Sequence, residues 1–309
     1  YQGNGSSQVK PTKLDKFIDV IRDEYGQGIE ISYSAGYSLS NDDDLSLIAE
    51  AAKVAGQADV AIVLAGLPLS YESEGIDRTH IDLPPSHNQL ISAVAKAQPN
   101  TAVALINGSA IAMPWVDEVS AILETWLGGQ AGAGAIADTL FGKVNPSGKL
   151  AETFPKRLED SPAFINFPGE DGQVIYGERM FVGYRYFDKL NIEPLFPFGH
   201  GLSYTDFSYS DLKFSATDIT DKDQLEVTLT LTNTGKRAGK EVVQLYVVDT
   251  EFTLQRPVKE LKAFDKIELA PGESKQVSFV LSVRDFSYYS KQYDRWLAES
   301  GEFEILVGS

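Results

Sequence analysis

The sequence contains no cysteine among its 309 residues. A disulfide framework, a thiol nucleophile and a thiolate metal site are therefore excluded. Only three histidines are present, His80, His87 and His200, and their spacing matches no metal-binding pattern. Because the chain also lacks a nucleotide-binding fingerprint, we expect it to use neither a metal nor another cofactor.

Basic side chains are scarce, with 27 Lys and Arg against 44 Asp and Glu and a net charge of −17. A surface this acidic repels phosphate backbones, so we do not expect nucleic acid as a partner. Long hydrophobic runs are missing as well. Residues 60–69 form the longest apolar stretch and Gly66 and Pro68 interrupt it, so we expect no membrane-spanning helix and no membrane partner.

The first half of the chain alternates short apolar runs with helical patterns. Strand patterns fall at residues 29–33, 60–66, 102–106 and 122–126. Helical patterns begin at Thr12, Leu45, the pair Ser86 and Gln89 (a capping box), and the glycine-rich segment 128–132. This alternation predicts an α/β domain with a mostly parallel sheet and right-handed crossovers over residues 1–156, with the first strand of the domain missing.

Beyond residue 204 the apolar period changes to two, as in Leu225, Val227, Leu229 and Leu231. Short alternating strands separated by Gly and Pro turns predict an antiparallel β-sandwich over residues 205–309. Residues 157–204 are rich in Pro, Gly and aromatics without clear periodicity, which predicts a packed linker. The predicted fold class is therefore α/β plus all-β.

The most unusual loop follows the strand pattern that ends at Gly66. Tyr71, Glu72, Glu74, Asp77 and Arg78 lie in it, at the edge of a parallel sheet where ligands bind. A carboxylic acid that protonates a leaving oxygen needs a raised pKa. Repulsion from Glu72 and Asp77 would raise the pKa of Glu74, and Arg78 would oppose it. The alternative is an acidic loop that is simply hydrated.

Several strings of this sequence resemble one known family. They are Tyr1-Gln2-Gly3-Asn4-Gly5-Ser6-Ser7, Ser73-Glu74-Gly75-Ile76-Asp77-Arg78, Asn145-Pro146-Ser147-Gly148-Lys149-Leu150, Val182-Gly183-Tyr184-Arg185-Tyr186-Phe187-Asp188, Phe196-Pro197-Phe198-Gly199-His200-Gly201-Leu202-Ser203-Tyr204 and Gly239-Lys240-Glu241-Val242-Val243-Gln244-Leu245-Tyr246. In this order they resemble the C-terminal part of family 3 glycoside hydrolases of the β-glucosidase type. The resemblance covers essentially the whole chain and implies that the β-sandwich is fibronectin type III-like.

The resemblance implies a retaining β-glucosidase that acts by double displacement on a β-glucoside or oligosaccharide. Glu74 matches the family's general acid/base, and Glu72 is the alternative. The nucleophile of the family is an Asp on a preceding (β/α)8 barrel, and the two carboxylates need to lie roughly 5 Å apart. Tyr71, Arg78, Gly5 and Ser6 would line the entrance to the site.

The barrel domain has no counterpart in this chain, which lacks eight βα units. We therefore expect the chain to be a piece of a longer enzyme, with the barrel domain as its partner, and to be inactive alone. β-Xylosidase or exo-β-glucanase specificity stays open, as does a non-catalytic carbohydrate-binding or scaffold role, for which Tyr288, Tyr289, Tyr293 and Trp296 are the candidate surface. Homo-oligomerisation is also open, and the lack of cysteine does not fix the compartment.

Overall fold

A computed structural model of the protein describes residues 1–38, 45–71 and 73–309, with only the backbone of Ser7. The chain divides into two compact units. The first, the α/β unit, comprises Tyr1–Val144 and Phe154–Leu158, and the second, the β unit, comprises Asn145–Thr153 and Glu159–Ser309. The domain boundaries 1–156, 157–204 and 205–309 stay predictions.

The α/β unit is built on a parallel three-stranded sheet. Its strands are β1 (Ala61–Gly66), β2 (Thr101–Ile106) and β3 (Ala121–Glu124), in the order β1-β2-β3. Its α-helices are α1 (Phe17–Tyr25), α2 (Leu45–Ala55), α3 (Pro85–Ala97) and α4 (Gly132–Leu140). Because β1, β2 and β3 run parallel, their carboxyl ends lie at one edge of the sheet, and the loop 67–84 leaves from that edge.

The core of the α/β unit lies around β2 and α3. Val103, Ala104 and Leu105 on β2 are fully buried, as are Ile91 on α3 and Trp115. A strand buried on both faces needs a continuous apolar run, which is the pattern the sequence shows here. Helix α3 begins with Pro85 at its first position, where the missing amide hydrogen has no intrahelical partner to lose.

Three local predictions in this unit are wrong. Residues 29–33 alternate like a strand but form none, and Ile29 and Tyr33 are exposed. Alternation supplies an apolar face, but a strand also needs a neighbouring strand for its backbone hydrogen bonds. The capping box at Ser86 and Gln89 does not form, because Pro84 is the N-cap and Ser86 lies buried inside α3. Helix α1 begins at Phe17 and not near Thr12.

The β unit contains one short α-helix, α5 (Tyr184–Leu190), and eight strands. The strands are β4 (Phe207–Phe214), β5 (Gln224–Asn233), β6 (Gly239–Asp249), β7 (Glu260–Leu269), β8 (Ser274–Ser282), β9 (Tyr288–Ser290), β10 (Arg295–Leu297) and β11 (Phe303–Gly308). They form antiparallel sheets in the orders β4-β5-β8 and β11-β6-β7, and β9 and β10 form a separate hairpin.

The alternating residues of β5 fill the core of the β unit. Leu225, Val227, Leu229 and Leu231 pack with buried residues of β6, β7 and β8, among them Leu245. The intervening residues of β5 face outward, so period two in the sequence corresponds to one buried face of the sheet. The predicted fold class, a parallel α/β domain followed by an antiparallel β-sandwich, is confirmed. The described residues place three strands in the parallel sheet and do not form a barrel.

Candidate active site

The loop that carries the predicted carboxylate begins where β1 meets β2. Gly66, the last residue of β1, packs directly against the backbone of Ile106, the last residue of β2, and a Cβ at position 66 would overlap the carbonyl group of Ile106. The loop then spans residues 67–84 and returns to α3 at Pro85. Glu74 is therefore presented from the carboxyl edge of the parallel sheet.

Glu74 is held by a turn from the beginning of the chain. Its Oε2 atom accepts a hydrogen bond from the backbone amide of Ser6 at 2.9 Å and another from the Ser6 hydroxyl at 2.5 Å. An isolated bridge between Asn4 and Ser73 joins the same two segments. Gly5 has a φ of +85°, and a Cβ on it would lie 2.7 Å from the Cβ of Glu74. Glycine is therefore required at position 5, both for its backbone conformation and for the close approach.

The turn itself is organised by Asn4. Its Oδ1 atom accepts hydrogen bonds from the Gly5 amide at 2.9 Å and from the Gln8 side chain at 2.7 Å. Its Nδ2 donates to the Leu69 carbonyl oxygen at 3.4 Å. Asn4 thus caps the short 3-10 turn Gly5–Ser7 and ties it to the loop of Glu74.

The pKa of Glu74 is lowered, which is the opposite of the rise that repulsion between carboxylates would cause. The Ser6 hydroxyl, followed by the Ser6 amide, lowers the pKa of the Glu74 carboxyl, because both hydrogen bonds favour the charged form. The side chain is exposed to solvent. Glu72, the alternative acid/base, lies outside the described residues.

The other two predicted site residues make different contacts. Arg78 Nη1 donates to the Ser109 hydroxyl at 2.9 Å. The ring of Tyr71 packs edge-on against His80, with the two ring centroids 5.6 Å apart. The structure therefore brings Gly5, Ser6 and Glu74 into direct contact, while Arg78 and Tyr71 fix other parts of the same loop.

Two residues at this edge of the sheet, Asn107 and Glu124, were not predicted from the sequence as site residues. Asn107 follows β2 and is fully buried, and its Nδ2 donates to the Ser109 carbonyl oxygen at 3.0 Å and to Glu124 Oε2 at 3.1 Å. Glu124, the last residue of β3, also accepts from the Trp126 amide at 2.9 Å. The available signal was position alone, because polar residues at the ends of neighbouring parallel strands meet at one sheet edge.

The described residues contain no group of three or more His, Asp or Glu side chains arranged to hold a metal ion. Among them there is also no helix with the length and apolar character needed to cross a bilayer.

The aromatic cluster of the β unit is partly covered by its own neighbours. The guanidinium carbon of Arg284 lies 2.8 Å from the centroid of the Trp296 ring. Tyr289 packs edge-on against Trp296 at 5.5 Å and donates a hydrogen bond to Asp294. One face of Trp296 is therefore closed to a stacking sugar.

The chain thus combines an α/β unit that carries an exposed loop carboxylate with a unit of antiparallel sheets, and this combination matches known family models. Residues 1–204 match the glycosyl hydrolase family 3 C-terminal domain, and residues 241–309 match the fibronectin type III-like domain. The chain belongs to glycoside hydrolase family 3.

Named relatives agree with this assignment. Over its whole length the chain is 55% identical to the thermostable beta-glucosidase B of Acetivibrio thermocellus, and it covers 41% of that protein. It superposes with a TM-score of 0.93 and 42% identity on the Bifidobacterium adolescentis GH3 beta-glucosidase, covering 99% of this chain and 45% of that one. For the Kluyveromyces marxianus beta-glucosidase in complex with glucose, the TM-score is 0.82 at 43% identity, covering 86% of this chain and 32% of that one. The chain thus spans less than half the length of these relatives.

Proposed function

We propose that this chain supplies the general acid/base of a retaining β-glucosidase, and that Glu74 is that residue. The observation that carries the proposal is the position of Glu74, an exposed carboxylate fixed by Ser6 at the carboxyl edge of a parallel sheet. The names of the relatives, which are beta-glucosidases, support the reaction class.

The proposed reaction has two displacements. An Asp on the barrel domain of the same enzyme attacks the anomeric carbon while Glu74 gives its proton to the departing glycosidic oxygen, so the C–O bond breaks as the glycosyl-enzyme bond forms. Glu74, now a carboxylate, then takes a proton from water, and the resulting hydroxide attack releases the sugar and the Asp. A β-glucoside or oligosaccharide is the substrate, and the barrel domain is the partner.

The lowered pKa of Glu74 suits the second displacement, in which Glu74 is a base. The first displacement needs the protonated form, so the pKa must rise when the complete site assembles. A nucleophile carboxylate roughly 5 Å away, together with burial under the barrel domain, raises the pKa of a carboxyl group.

The remaining site residues have supporting roles in this proposal. Gly5 and Ser6 hold the Glu74 carboxylate, and Tyr71 and Arg78 line the entrance where the leaving group sits. Because one face of Trp296 is covered by Arg284, we assign the fibronectin type III-like unit a supporting role and no sugar binding.

Substitution of Glu74 in the intact enzyme tests the proposal. Glu74→Gln should lower turnover of cellobiose by about 10²–10⁴-fold. The glycosylation step of an activated aryl β-glucoside should be slowed much less, because general acid catalysis matters most for poor leaving groups. Azide should partly restore turnover in Glu74→Ala. Asp77→Asn, which removes an exposed carboxylate from the same loop, is the matched control.

Normal cellobiose turnover by Glu74→Gln would contradict the assignment, and a large loss in Glu72→Gln instead would move the role to Glu72. The 309-residue chain alone should not hydrolyse an aryl β-glucoside, since it lacks the nucleophile. Comparing aryl β-glucosides with aryl β-xylosides on the intact enzyme separates β-glucosidase from β-xylosidase activity.

A further inference from the structure

The loop of Glu74 has a second attachment, a few residues further along the chain than Glu74. Arg78 Nη1 donates to the Ser109 hydroxyl at 2.9 Å, and the Ala112 amide donates to the Ile81 carbonyl oxygen at 2.8 Å. Both contacts join residues 78–81 to the segment that follows β2. Residues 74–77, which lie between the two attachments, are all exposed, so buried packing contributes little to their position.

Ser109 is itself fixed by the ends of two strands. The buried Asn107 donates to the Ser109 carbonyl oxygen at 3.0 Å and to Glu124 at 3.1 Å, and Glu124 accepts from the Trp126 amide at 2.9 Å. The hydrogen bonds therefore run without interruption from the end of β3, through the end of β2, to Arg78. Because Asn107 is fully buried, displacing its side chain would break both hydrogen bonds of Nδ2 with no water to replace them.

We infer that Ser109 is a positioning residue for Glu74, acting through Arg78 to keep the second half of the loop in place. This inference rests on the proposed function, since it gives a catalytic meaning to the position of Glu74. Catalytic groups need to be held to within a fraction of an ångström by residues behind them. Ser6 holds the carboxylate directly, and Ser109 holds the backbone that carries it.

A first experiment uses the 309-residue chain and requires no activity. The Ser6 amide, which donates to Glu74, reports whether the carboxylate stays in place. In Ser109→Ala its hydrogen exchange, followed by NMR, should be faster by up to about tenfold, the scale of one hydrogen bond. Ser109→Thr, which keeps the hydroxyl, should restore slow exchange.

Ser120→Ala is the matched control. It removes a serine hydroxyl from the same unit, one that donates to the Pro99 carbonyl oxygen at 2.7 Å near the opposite edge of the sheet. Exchange at Ser6 should be unchanged in this variant. Equal exchange in Ser109→Ala and Ser120→Ala would overturn the inference, as would a lower melting temperature of Ser109→Ala without any change at Ser6.

A second experiment uses the intact enzyme. Ser109→Ala should lower kcat for cellobiose by about tenfold and kcat for an activated aryl β-glucoside much less, with little change in KM, because a displaced acid affects proton transfer more than binding. An equal loss for both substrates would overturn the inference. If Glu74→Gln were fully active while Ser109→Ala still accelerated exchange at Ser6, the acid/base assignment would fail while the support of the loop by Ser109 would stand.

Discussion

Two glutamates, one in each unit, lie in contrasting environments. Glu74 in the α/β unit is exposed and accepts hydrogen bonds from the neutral donors of Ser6. Glu241 in the β unit is 6% exposed and pairs with Lys149 at 3.0 Å. The proposed function requires that a substrate can reach Glu74, whereas a buried carboxylate is tolerated only when a cation and hydrogen bonds compensate its lost hydration.

The two units also differ in how completely they bury their apolar patterns. In the β unit, β5 has a neighbour on each side, β4 and β8, and its apolar residues are all in the core. In the α/β unit, residues 29–33 carry a comparable alternation with Ile29 and Tyr33 in solvent. Changes to buried groups should accordingly affect stability in either unit, whereas changes around the exposed Glu74 should affect the geometry of its loop.

The largest expected effect on stability is in the β unit. Glu241→Ala should lower the free energy of unfolding by about 3 kcal/mol, because it leaves the ammonium group of Lys149 buried without its carboxylate. Urea denaturation of the 309-residue chain measures this change. A loss below about 1 kcal/mol would show that the Lys149–Glu241 pair contributes little to stability, and would contradict the contrast drawn between Glu241 and Glu74.

The next effect concerns a buried histidine of the α/β unit. Burial lowers the pKa of His87 to about 4, and the Tyr37 ring lies 3.9 Å from it between centroids. His87 is therefore protonated below about pH 6.5 in the unfolded chain, but only below about pH 4 in the folded chain. Stability should fall by up to about 3 kcal/mol as the pH decreases through this window.

His87→Gln should abolish that part of the pH dependence of unfolding, since Gln does not titrate. His80→Gln is the control and should keep it, because His87 is still present. An unchanged slope between pH 4 and pH 6.5 in His87→Gln would contradict the assignment to His87.

A smaller effect sharpens the description of Glu74. Ser6→Ala removes the hydroxyl that contributes most to lowering the Glu74 pKa, so the pKa should rise towards its ordinary value. Titration of the Glu74 carboxyl carbon by NMR in the 309-residue chain measures it. Stabilisation from the charged form is present above the unfolded pKa and is lost as the pH falls through the folded pKa, so Ser6→Ala should also flatten this acid dependence slightly.

The smallest effect is expected for an exposed pair adjacent to the buried one. Lys240, beside Glu241 on β6, pairs with Glu268 at 3.5 Å, and both side chains are about half exposed or more. Lys240→Ala should change stability by less than about 0.5 kcal/mol. A loss as large as that of Glu241→Ala would mean that burial does not distinguish the two pairs.

Much of the architecture was predictable from apolar periodicity. The continuous runs became β1 and β2, and the alternation at 225–231 became the inward face of β5. The start of α3 was not predictable in the same way, because its N-cap is Pro84, two residues before the Ser86 that a capping box with Gln89 would require. Local patterns predict an element reliably where many side chains share one buried face. They are unreliable for the exact start of a helix, which depends on one turn.

Residue types and their order were enough to predict two kinds of domain, the family and the loop that carries Glu74, because these depend on local periodicity and on strings of neighbouring residues. The environment of Glu74 was not predictable in this way. Its pKa is set by Ser6, 68 positions away, and its loop is held by Ser109, 31 positions beyond Arg78. Such contacts exist only once the sheet has brought the ends of its strands together, so they follow from folding in three dimensions and not from neighbours along the chain.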